Sequence, residues 1–221
     1  MKIANKKLII FDWDGTIMDS VPKIVATLQS AARELRVPEP DHVDAKNIIG
    51  LSLDTAVSTL FPEHSEHHQA LEEQYKHHYV SVDTTPSPLF DDVRETLQAL
   101  KDKGYWLAIA TGKSRRGLDR LLNNTGLADF FEISMTASEA KSKPDPDMLE
   151  QILAFYDIQR EQAVMIGDTQ IDMQLAANAN MDAVGVTFGV HSQTELETYN
   201  PIATVDNYKQ LLDLFPQVIA T

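Results

Sequence analysis

A short apolar run that ends in two carboxylates is the feature that most restricts how this chain can fold. Leu8–Phe11 is apolar at every position, which is typical of a strand buried on both faces of a sheet. Asp12 and Asp14 follow it, and in extended backbone the side chains at i and i+2 point the same way. Two carboxylates this close need a cation, a shared proton or solvent. An acidic turn at Gly15 explains the pair equally well, so the rest of the chain has to decide.

Length and composition limit the class of protein. The chain has 221 residues, of which 43% are hydrophobic, and this is enough for one large domain or for a core with a smaller insertion. It contains no cysteine, which excludes disulfides, thiolate metal sites and a cysteine nucleophile. A disordered chain is not expected from this composition.

Charge and hydropathy predict the location and the partners. A net charge of −14 disfavours binding to nucleic acid and to anionic membranes, so we expect neither as a partner. Residues 1–7 lack the apolar segment of a signal peptide, and no apolar run approaches the length of a membrane span. We therefore expect a cytoplasmic protein. A monomer or a weak homodimer is expected as well.

Helices and strands alternate in the second part of the chain. From residue 90 onward we predict helices at 93–103, 114–123, 147–156, 171–179 and 208–215, and strands at 105–110, 131–135, 163–166 and 183–186. This order indicates a Rossmann-like parallel sheet with helices on both faces. An α/β fold is therefore the predicted class.

A long helical stretch separates the first strand from the rest of the sheet. The segment from residue 21 to residue 82 has helical periodicity, and a proline-rich break at 84–88 follows it. We interpret it as a small all-α cap inserted after the first strand. The predicted domains are therefore an α/β core at 1–18 and 86–221 and a cap at 19–85.

Candidate phosphate-binding residues follow the second and third strands. In open parallel sheets, ligands bind beyond the carboxyl ends of the strands. Thr111, Gly112 and Lys113 end one strand and open a helix, where backbone N–H groups attract anions. An ordinary helix N-cap at Ser114 is the alternative. Lys143 adds a cation after the next strand, although a single lysine is usually solvated.

A second pair of carboxylates follows the strand at 163–166. Asp168 and Asp172 could each stabilise the start of the following helix, which is the structural alternative. Both lie at the sheet edge that already carries Asp12 and Asp14, and so many carboxylates together require a hard cation. Oxygen-only ligation of this kind suits Mg²⁺.

These four elements, in this order, resemble the haloacid dehalogenase superfamily of phosphohydrolases. Asp12-Trp13-Asp14-Gly15-Thr16 is similar to its first motif, Thr111 to the second, Lys143-Pro144 to the third and Gly167-Asp168-Thr169-x-x-Asp172 to the fourth. The inserted helices resemble the small α-helical cap of its phosphoglycolate-phosphatase-like and β-phosphoglucomutase-like branch, and the layout is most similar to the phosphoglycolate-phosphatase type.

The resemblance implies a role for each motif residue. Asp12 would be the nucleophile and Asp14 the general acid and base, while Thr111 and Lys143 would hold the phosphoryl oxygens. The implied cofactor is Mg²⁺, held by Asp12, the backbone carbonyl of Asp14 and Asp168, with Asp172 either ligating the ion or bracing the site.

Substrate-binding residues are harder to assign. Lys113, Arg115 and Arg116 form a basic cluster that could receive a second anionic group of the substrate. We assign Gly112, Lys113 and Arg115 to substrate binding. Pairing of an arginine with surface acids is the alternative. Ser52 belongs to a segment that resembles a cap loop facing the active site, and it could equally be an ordinary helix N-cap.

Three functions fit these observations. The preferred one is a Mg²⁺-dependent phosphatase that acts on a small phosphorylated metabolite, phosphoglycolate-like or a sugar phosphate, through an aspartyl-phosphate. A phosphomutase of the β-phosphoglucomutase type would use the same nucleophile but transfer the phosphoryl group to a sugar. A non-catalytic binding or regulatory protein is the third, and it accounts less well for the complete set of acidic residues and the lysine.

Overall fold

The computed structural model describes residues 3–218, which form a six-stranded parallel sheet with helices on both sides. The strands are β1 (Leu8–Phe11), β2 (Trp106–Thr111), β3 (Ile133–Thr136), β4 (Ala163–Gly167), β5 (Asp182–Val186) and β6 (Ala203–Val205). Their order is β3-β2-β1-β4-β5-β6, and each neighbouring pair is parallel. The predicted α/β fold is thereby confirmed.

The first strand occupies the middle of the sheet. Phe11 pairs in register with Ile109 of β2 on one side and with Ile166 of β4 on the other. Because parallel strands end at the same edge, the residues that follow β1, β2 and β4 meet there. The apolar run of β1 therefore decides where the two aspartates lie.

Both faces of the sheet are buried, which explains why β1 is apolar throughout. Ile9 and Phe11 pack into one core cluster, and Leu8 and Ile10 pack into another on the opposite face. The helices that complete the core are α5 (Val93–Asp102), α6 (Arg115–Thr125), α7 (Asp147–Tyr156), α8 (Gln170–Asn178), α9 (Gln193–Glu197) and α10 (Tyr208–Leu214). Alternate side chains of a strand face opposite sides, so a doubly covered strand needs no polar position.

The segment between β1 and β2 is helical. It forms α1 (Val21–Glu34), α2 (His42–Asn47), α3 (Leu53–Leu60) and α4 (His68–His77), followed by a π-helical turn at His78–Val82. Their apolar side chains form two clusters separate from those around the sheet. The boundaries 1–18, 19–85 and 86–221 stay a prediction.

Two short connections join these helices to the sheet region. The amide of Asp19 donates to the carbonyl of Pro88 at 2.8 Å, and Met18 forms an antiparallel bridge with Leu89. The outgoing and returning chains therefore run side by side. This pairing holds the start of α1 close to the carboxyl edge of the sheet.

The structure adds three elements that the sequence analysis did not predict: α2, α9 and β6. Each is three to six residues long, too short for a clear periodic pattern. The third strand also begins two residues later than predicted, because a 3₁₀ turn occupies Ala128–Phe130. Among the described residues, no helix has both the length and the apolar composition needed to cross a bilayer.

Candidate active site

The candidate active site lies at the carboxyl edge of the sheet, where β1 ends at two aspartates. Asp12 continues the strand pairing, because its amide donates to the carbonyl of Ile166 at 2.9 Å. Gly15 then turns the chain with φ of 79°, a left-handed conformation that favours glycine. A Cβ added to Gly15 would lie 2.1 Å from Oδ2 of Asp168, so the first motif packs directly on the fourth.

Three carboxylates converge at this edge. Asp12, Asp168 and Asp172, the acidic triad, are all buried, and each offers an oxygen within 4.8 Å of the others. Asp12 follows β1, Asp168 follows β4, and Asp172 lies in the first turn of α8. The sequence analysis expected these residues to lie together, and the structure brings them together.

Lys143 supplies positive charge to the acidic triad. Its Nζ lies 2.5 Å from Oδ1 of Asp12 and 2.7 Å from Oδ1 of Asp172, and the side chain is fully buried. Burial opposes the charged ammonium, but the two aspartates outweigh it and raise the pKa of Lys143. Lys143 lies in the loop between β3 and α7. In the sheet, β3 is separated from β4 by β2 and β1.

One cation does not balance three buried carboxylates. Burial, opposed by Lys143 and reinforced by Asp172, raises the pKa of Asp12 to about 7. Burial likewise raises the pKa of Asp168 well above its usual value, and Asp172 and Asp12 add to the effect. With all three carboxylates ionised, the site would hold more negative charge than Lys143 neutralises, so protons or a further cation must balance it.

Hydrogen bonds hold two carboxylates of the acidic triad, those of Asp168 and Asp172. Thr16 donates to Oδ1 of Asp168 at 2.9 Å, and the amide of Val190 donates to Oδ2 at 2.8 Å. Thr169 donates to Oδ2 of Asp172 through its hydroxyl at 2.7 Å and its amide at 3.1 Å. The expected capping role of Asp172 thus coexists with its place in the triad.

The residues present fit a divalent cation. Oδ2 of Asp12 is buried and has no hydrogen-bond partner among the described residues. A buried carboxylate oxygen without a partner is costly unless a cation or a ligand completes it. Oxygen donors alone, with excess negative charge, are the donor set that Mg²⁺ prefers.

Asp14 belongs to a different part of the site. The hydroxyl of Ser20 donates to its Oδ1 at 2.5 Å, and Nζ of Lys113 lies 2.9 Å from the same oxygen. Burial opposes the charge of Lys113, but Asp14 outweighs it and raises the pKa of that lysine. The Asp14 carboxylate is not a member of the acidic triad, so its predicted contribution to the metal remains the backbone carbonyl.

Thr111 and Gly112 lie at the end of the neighbouring strand. Thr111 is fully buried, and its Oγ1 accepts a hydrogen bond from the amide of Lys113 at 3.3 Å. A Cβ on Gly112 would lie 2.2 Å from the carbonyl oxygen of Leu51. Gly112 therefore allows the loop before α3 to approach the end of β2.

A cavity of about 750 Å³ opens between Asp14 and the inserted helices. Three of the four predicted substrate-binding residues line it: Gly112, Lys113 and Ser52. Ser52 occupies the N-cap position of α3, but its hydroxyl donates to Oγ1 of Thr55 at 2.7 Å rather than to the helix backbone. The position at the start of a helix and the position facing the site are therefore compatible for Ser52, because the start of α3 itself lines the cavity.

Arg115 is not among the residues that line the cavity. Its guanidinium contacts Glu139 at 2.6 Å and donates to the Ser134 hydroxyl at 2.8 Å. This is the alternative that the sequence analysis left open, an arginine paired with acids and backbone. The structure thus places Arg115 against Glu139 and Ser134, and its assignment to substrate binding stays a prediction.

Several residues near the site were not assigned from the sequence. Ser20 holds Asp14, the amide of Val190 holds Asp168, and Tyr79 and Arg120 line the cavity. One signal was available for Arg120, because it lies four residues after Arg116 and so shares its helix face. The contact from Val190 is made by a loop amide, which carries no side-chain signal.

Comparisons with known proteins show which family this chain resembles. A family model described as haloacid dehalogenase-like hydrolase matches residues 9–186. The protein named probable phosphatase IndB of Dickeya dadantii (strain 3937) is 32% identical over 212 residues, which cover 94% of this chain and 92% of that protein.

Two further proteins match over nearly their whole lengths. A phosphoglycolate phosphatase of Vibrio vulnificus (strain YJ016) is 30% identical over 217 residues, 94% of this chain and 95% of its own. A solved haloacid dehalogenase-like family hydrolase from Streptococcus pneumoniae superposes with a TM-score of 0.84 at 25% identity, covering 95% of this chain and 98% of that one.

Proposed function

The chain belongs to the haloacid dehalogenase-like hydrolase family, and on that basis we propose that it is a Mg²⁺-dependent phosphatase of a small phosphorylated metabolite. Phosphoglycolate-like compounds and sugar phosphates are the substrate classes expected. The observation that carries the proposal is made at Asp12. One oxygen of its carboxylate is buried and has no hydrogen-bond partner among residues 3–218, and the other contacts Lys143.

Asp12 is the proposed nucleophile. An oxygen of its carboxylate forms a bond to phosphorus while the bond from phosphorus to the alcohol oxygen of the substrate breaks. The product of this step is an aspartyl-phosphate on Asp12 and a free alcohol. Lys143 is held 2.5 Å from the same carboxylate, so its charge also stabilises negative oxygens on the transferred group.

Asp14 is the proposed general acid and base. It donates a proton to the departing alkoxide and later accepts one from the water that attacks the aspartyl-phosphate. Ser20 and Lys113 both contact its Oδ1, and the residue lines the cavity that would receive the leaving group. These contacts support a fixed position for the proton donor.

Thr111 is proposed to bind a phosphoryl oxygen. It is buried at the end of β2, next to the strand that precedes Asp12. A hydroxyl donor here would complement the charge of Lys143 on another oxygen.

The acidic triad, with the backbone carbonyl of Asp14, would hold Mg²⁺. When bound, the cation neutralises the repulsion between the Asp12 carboxylate and the phosphate dianion. Hydrogen bonds orient two of these carboxylates for the ion. Thr16 and the Val190 amide hold Asp168, and Thr169 holds Asp172.

A phosphate-release screen tests the proposal. Phosphoglycolate, sugar phosphates and nucleotides would be incubated with Mg²⁺ or EDTA, using wild type, Asp12→Asn and an Asp213→Asn control. Asp213 is exposed on α10, so the same change of charge there should leave activity intact. We expect release that needs Mg²⁺ and is lost only in Asp12→Asn. If no substrate gave such release, the proposal would be refuted.

The phosphomutase alternative gives a different result in the same assay. Slow phosphate release, with phosphoryl transfer to a sugar that a bisphosphate activates, would favour it. The cytoplasmic location and the monomer or weak homodimer expected from the sequence stay predictions.

A further inference from the structure

The cavity above Asp14 is larger than a two-carbon leaving group requires. Its volume is about 750 Å³. A leaving group of five non-hydrogen atoms fills about 150 Å³ even if each atom takes the volume of a liquid water molecule, about 30 Å³. Pockets of a few hundred Å³ or more normally enclose ligands of much greater size.

One wall of the cavity is apolar and aromatic. Ile24 and Leu28 of α1 line it together with Tyr75 and Tyr79, whose ring centroids are 5.7 Å apart. Apolar walls of this kind gain free energy by covering an apolar or planar ligand, and they gain little from a highly hydroxylated one. The wall therefore favours a leaving group with an apolar or planar body.

The cavity also carries positive charge that the protein does not neutralise. Lys76 pairs with Glu72 at 3.0 Å, and Lys113 pairs with Asp14 at 2.9 Å. Among the described residues, no carboxylate lies within 4.0 Å of the guanidinium of Arg116 or of Arg120. Asp54 also lines the cavity and has no lysine or arginine within 4.0 Å in the described part of the chain, so four cations face three carboxylates there. In a chain with a net charge of −14, this small positive excess is a local reversal of sign.

Tyr79 provides an independent sign that a ligand group is missing. Its residue is 8% exposed, and its hydroxyl is buried with no hydrogen-bond partner in the described part of the chain. The guanidinium carbon of Arg120 lies 5.8 Å from the centre of the same ring. A buried hydroxyl normally has a partner, so a polar atom of a ligand in this cavity would complete Tyr79, whose ring Arg120 already contacts.

We infer that the substrate is a phosphomonoester whose alcohol has a bulky apolar or planar body and a second anionic group received by Arg120. Tyr79 contacts the body of the leaving group, and Arg116 adds to the positive charge around the anion. This inference rests on the proposed phosphatase activity, and within the small phosphorylated metabolites it favours a substrate other than phosphoglycolate or a sugar phosphate. Arg120 acts here on specificity and not on the chemical step.

Three synthetic probes test the inference: benzyl phosphate, 4-carboxybenzyl phosphate and 2-phosphoglycolate. The first two differ by one carboxylate, and the third keeps a carboxylate but lacks the body. We expect kcat/KM to be at least about tenfold higher for 4-carboxybenzyl phosphate than for either of the others, the effect of one charge-assisted hydrogen bond or of an unfilled apolar wall.

Variants then assign the effect to Arg120. In Arg120→Met, the ratio of kcat/KM for 4-carboxybenzyl phosphate to that for benzyl phosphate should fall to near one. Arg33→Met removes the same charge from an exposed position on α1 and should keep the wild-type ratio. Both substrates are measured on one preparation, so a partly unfolded fraction cancels in the ratio.

The outcomes separate this inference from the proposed function. A wild-type ratio near one, a ratio unchanged in Arg120→Met, or 2-phosphoglycolate as the best of the three would overturn the inference and leave the phosphatase intact. Absence of Mg²⁺-dependent hydrolysis for every phosphomonoester would instead refute the proposed function.

Discussion

Lys143 places one buried ammonium between two buried carboxylates. Its Nζ contacts Asp12 at 2.5 Å and Asp172 at 2.7 Å, and neither aspartate has another lysine or arginine within 4.0 Å among the described residues. A buried ion pair is costly to form but costlier to break, because the remaining charge stays buried without a partner. Lys143 should therefore support the fold as well as the proposed chemistry.

Replacing Lys143 by methionine should lower the free energy of unfolding by about 3–5 kcal/mol in metal-free buffer, because two buried carboxylates lose the cation that contacts them both. The measurement is urea unfolding followed by circular dichroism. Lys141→Met is the matched control, since that lysine is 74% exposed and pairs weakly with Asp145 at 3.4 Å. Its effect should be below about 1 kcal/mol. Equal losses in both variants would contradict the role given to Lys143.

Arg115 and Arg120 illustrate how position on one helix separates two similar residues. Arg120 and Arg116 are four residues apart and line the cavity, whereas Arg115 points to Glu139 and Ser134. The chemistry of an arginine is the same at each position. Its surroundings decide whether it holds the fold or remains available to a ligand.

The loop before α3 is the element that closes the site from the side of the inserted helices. The amide of Ser52 donates to Oγ of Ser142 at 2.9 Å, and the carbonyls of Gly50 and Leu51 lie against Gly112. This loop thus touches residues that follow both β2 and β3. Substrate access should depend on how closely it packs there.

A side chain on Gly112 should push this loop away. The Cβ of Gly112→Ala would lie 2.2 Å from one backbone oxygen and 2.5 Å from a second, and backbone cannot turn aside as a side chain can. We expect a loss of about 1–3 kcal/mol in the free energy of unfolding. We also expect at least about a tenfold fall in kcat/KM, measured with the best substrate of the screen.

Gly117→Ala is the matched control for this prediction. Its Cβ would meet only the Ser114 hydroxyl, at 3.2 Å, and alanine favours the helical conformation over glycine. The free energy of unfolding should therefore stay within about 1 kcal/mol of wild type. If Gly112→Ala were equally mild, the close packing of the loop would not matter for stability.

At the scale of the whole molecule, negative charge is concentrated where the sheet ends. The chain carries a net charge of −14, and the acidic triad buries three carboxylates around one lysine. Burial raises the pKa of Asp12 to about 7, so the folded metal-free protein keeps a proton there that the unfolded chain releases near 3.8. Since the folded state binds more protons, the free energy of unfolding falls as the pH rises from about 4 to about 7.

Mg²⁺ should stabilise the folded protein more at high pH than at low pH, because the cation replaces the proton as the partner of the carboxylates. We expect the rise in Tm caused by Mg²⁺, relative to EDTA, to be larger at pH 7.5 than at pH 5.5. At a hundredfold excess over Kd the gain is about 2.7 kcal/mol. Differential scanning fluorimetry in both buffers measures it.

Asp168→Asn provides the control for metal binding. It removes a charge of the acidic triad but keeps a side chain of the same size, so the Mg²⁺-dependent rise in Tm should largely disappear. Asp213→Asn should keep it. A rise that was equal at both pH values, or unaffected by Asp168→Asn, would contradict a metal site at the triad.

The sequence predicted the longer helices and strands because the pattern of their side chains is regular over several residues. The strands β1, β2 and β4 are apolar for four or more residues, and the longer helices have a clear period. Elements of three to six residues, such as β6, lack such a signal and become ordered through their neighbours. The ends of helices and strands differ from the predicted ones by a few residues for the same reason.

The linear sequence by itself determined which chemical groups stand after each strand: Asp12 and Asp14, Thr111, Lys143, Asp168 and Asp172. Strand ends are local features, and a parallel sheet brings them to one edge. Only the tertiary structure decided that Lys143 contacts Asp12 and Asp172, that Arg115 faces acids, and that Arg120 faces the cavity. These contacts join residues far apart in the chain, and their distances depend on how the inserted helices and loops pack against the sheet.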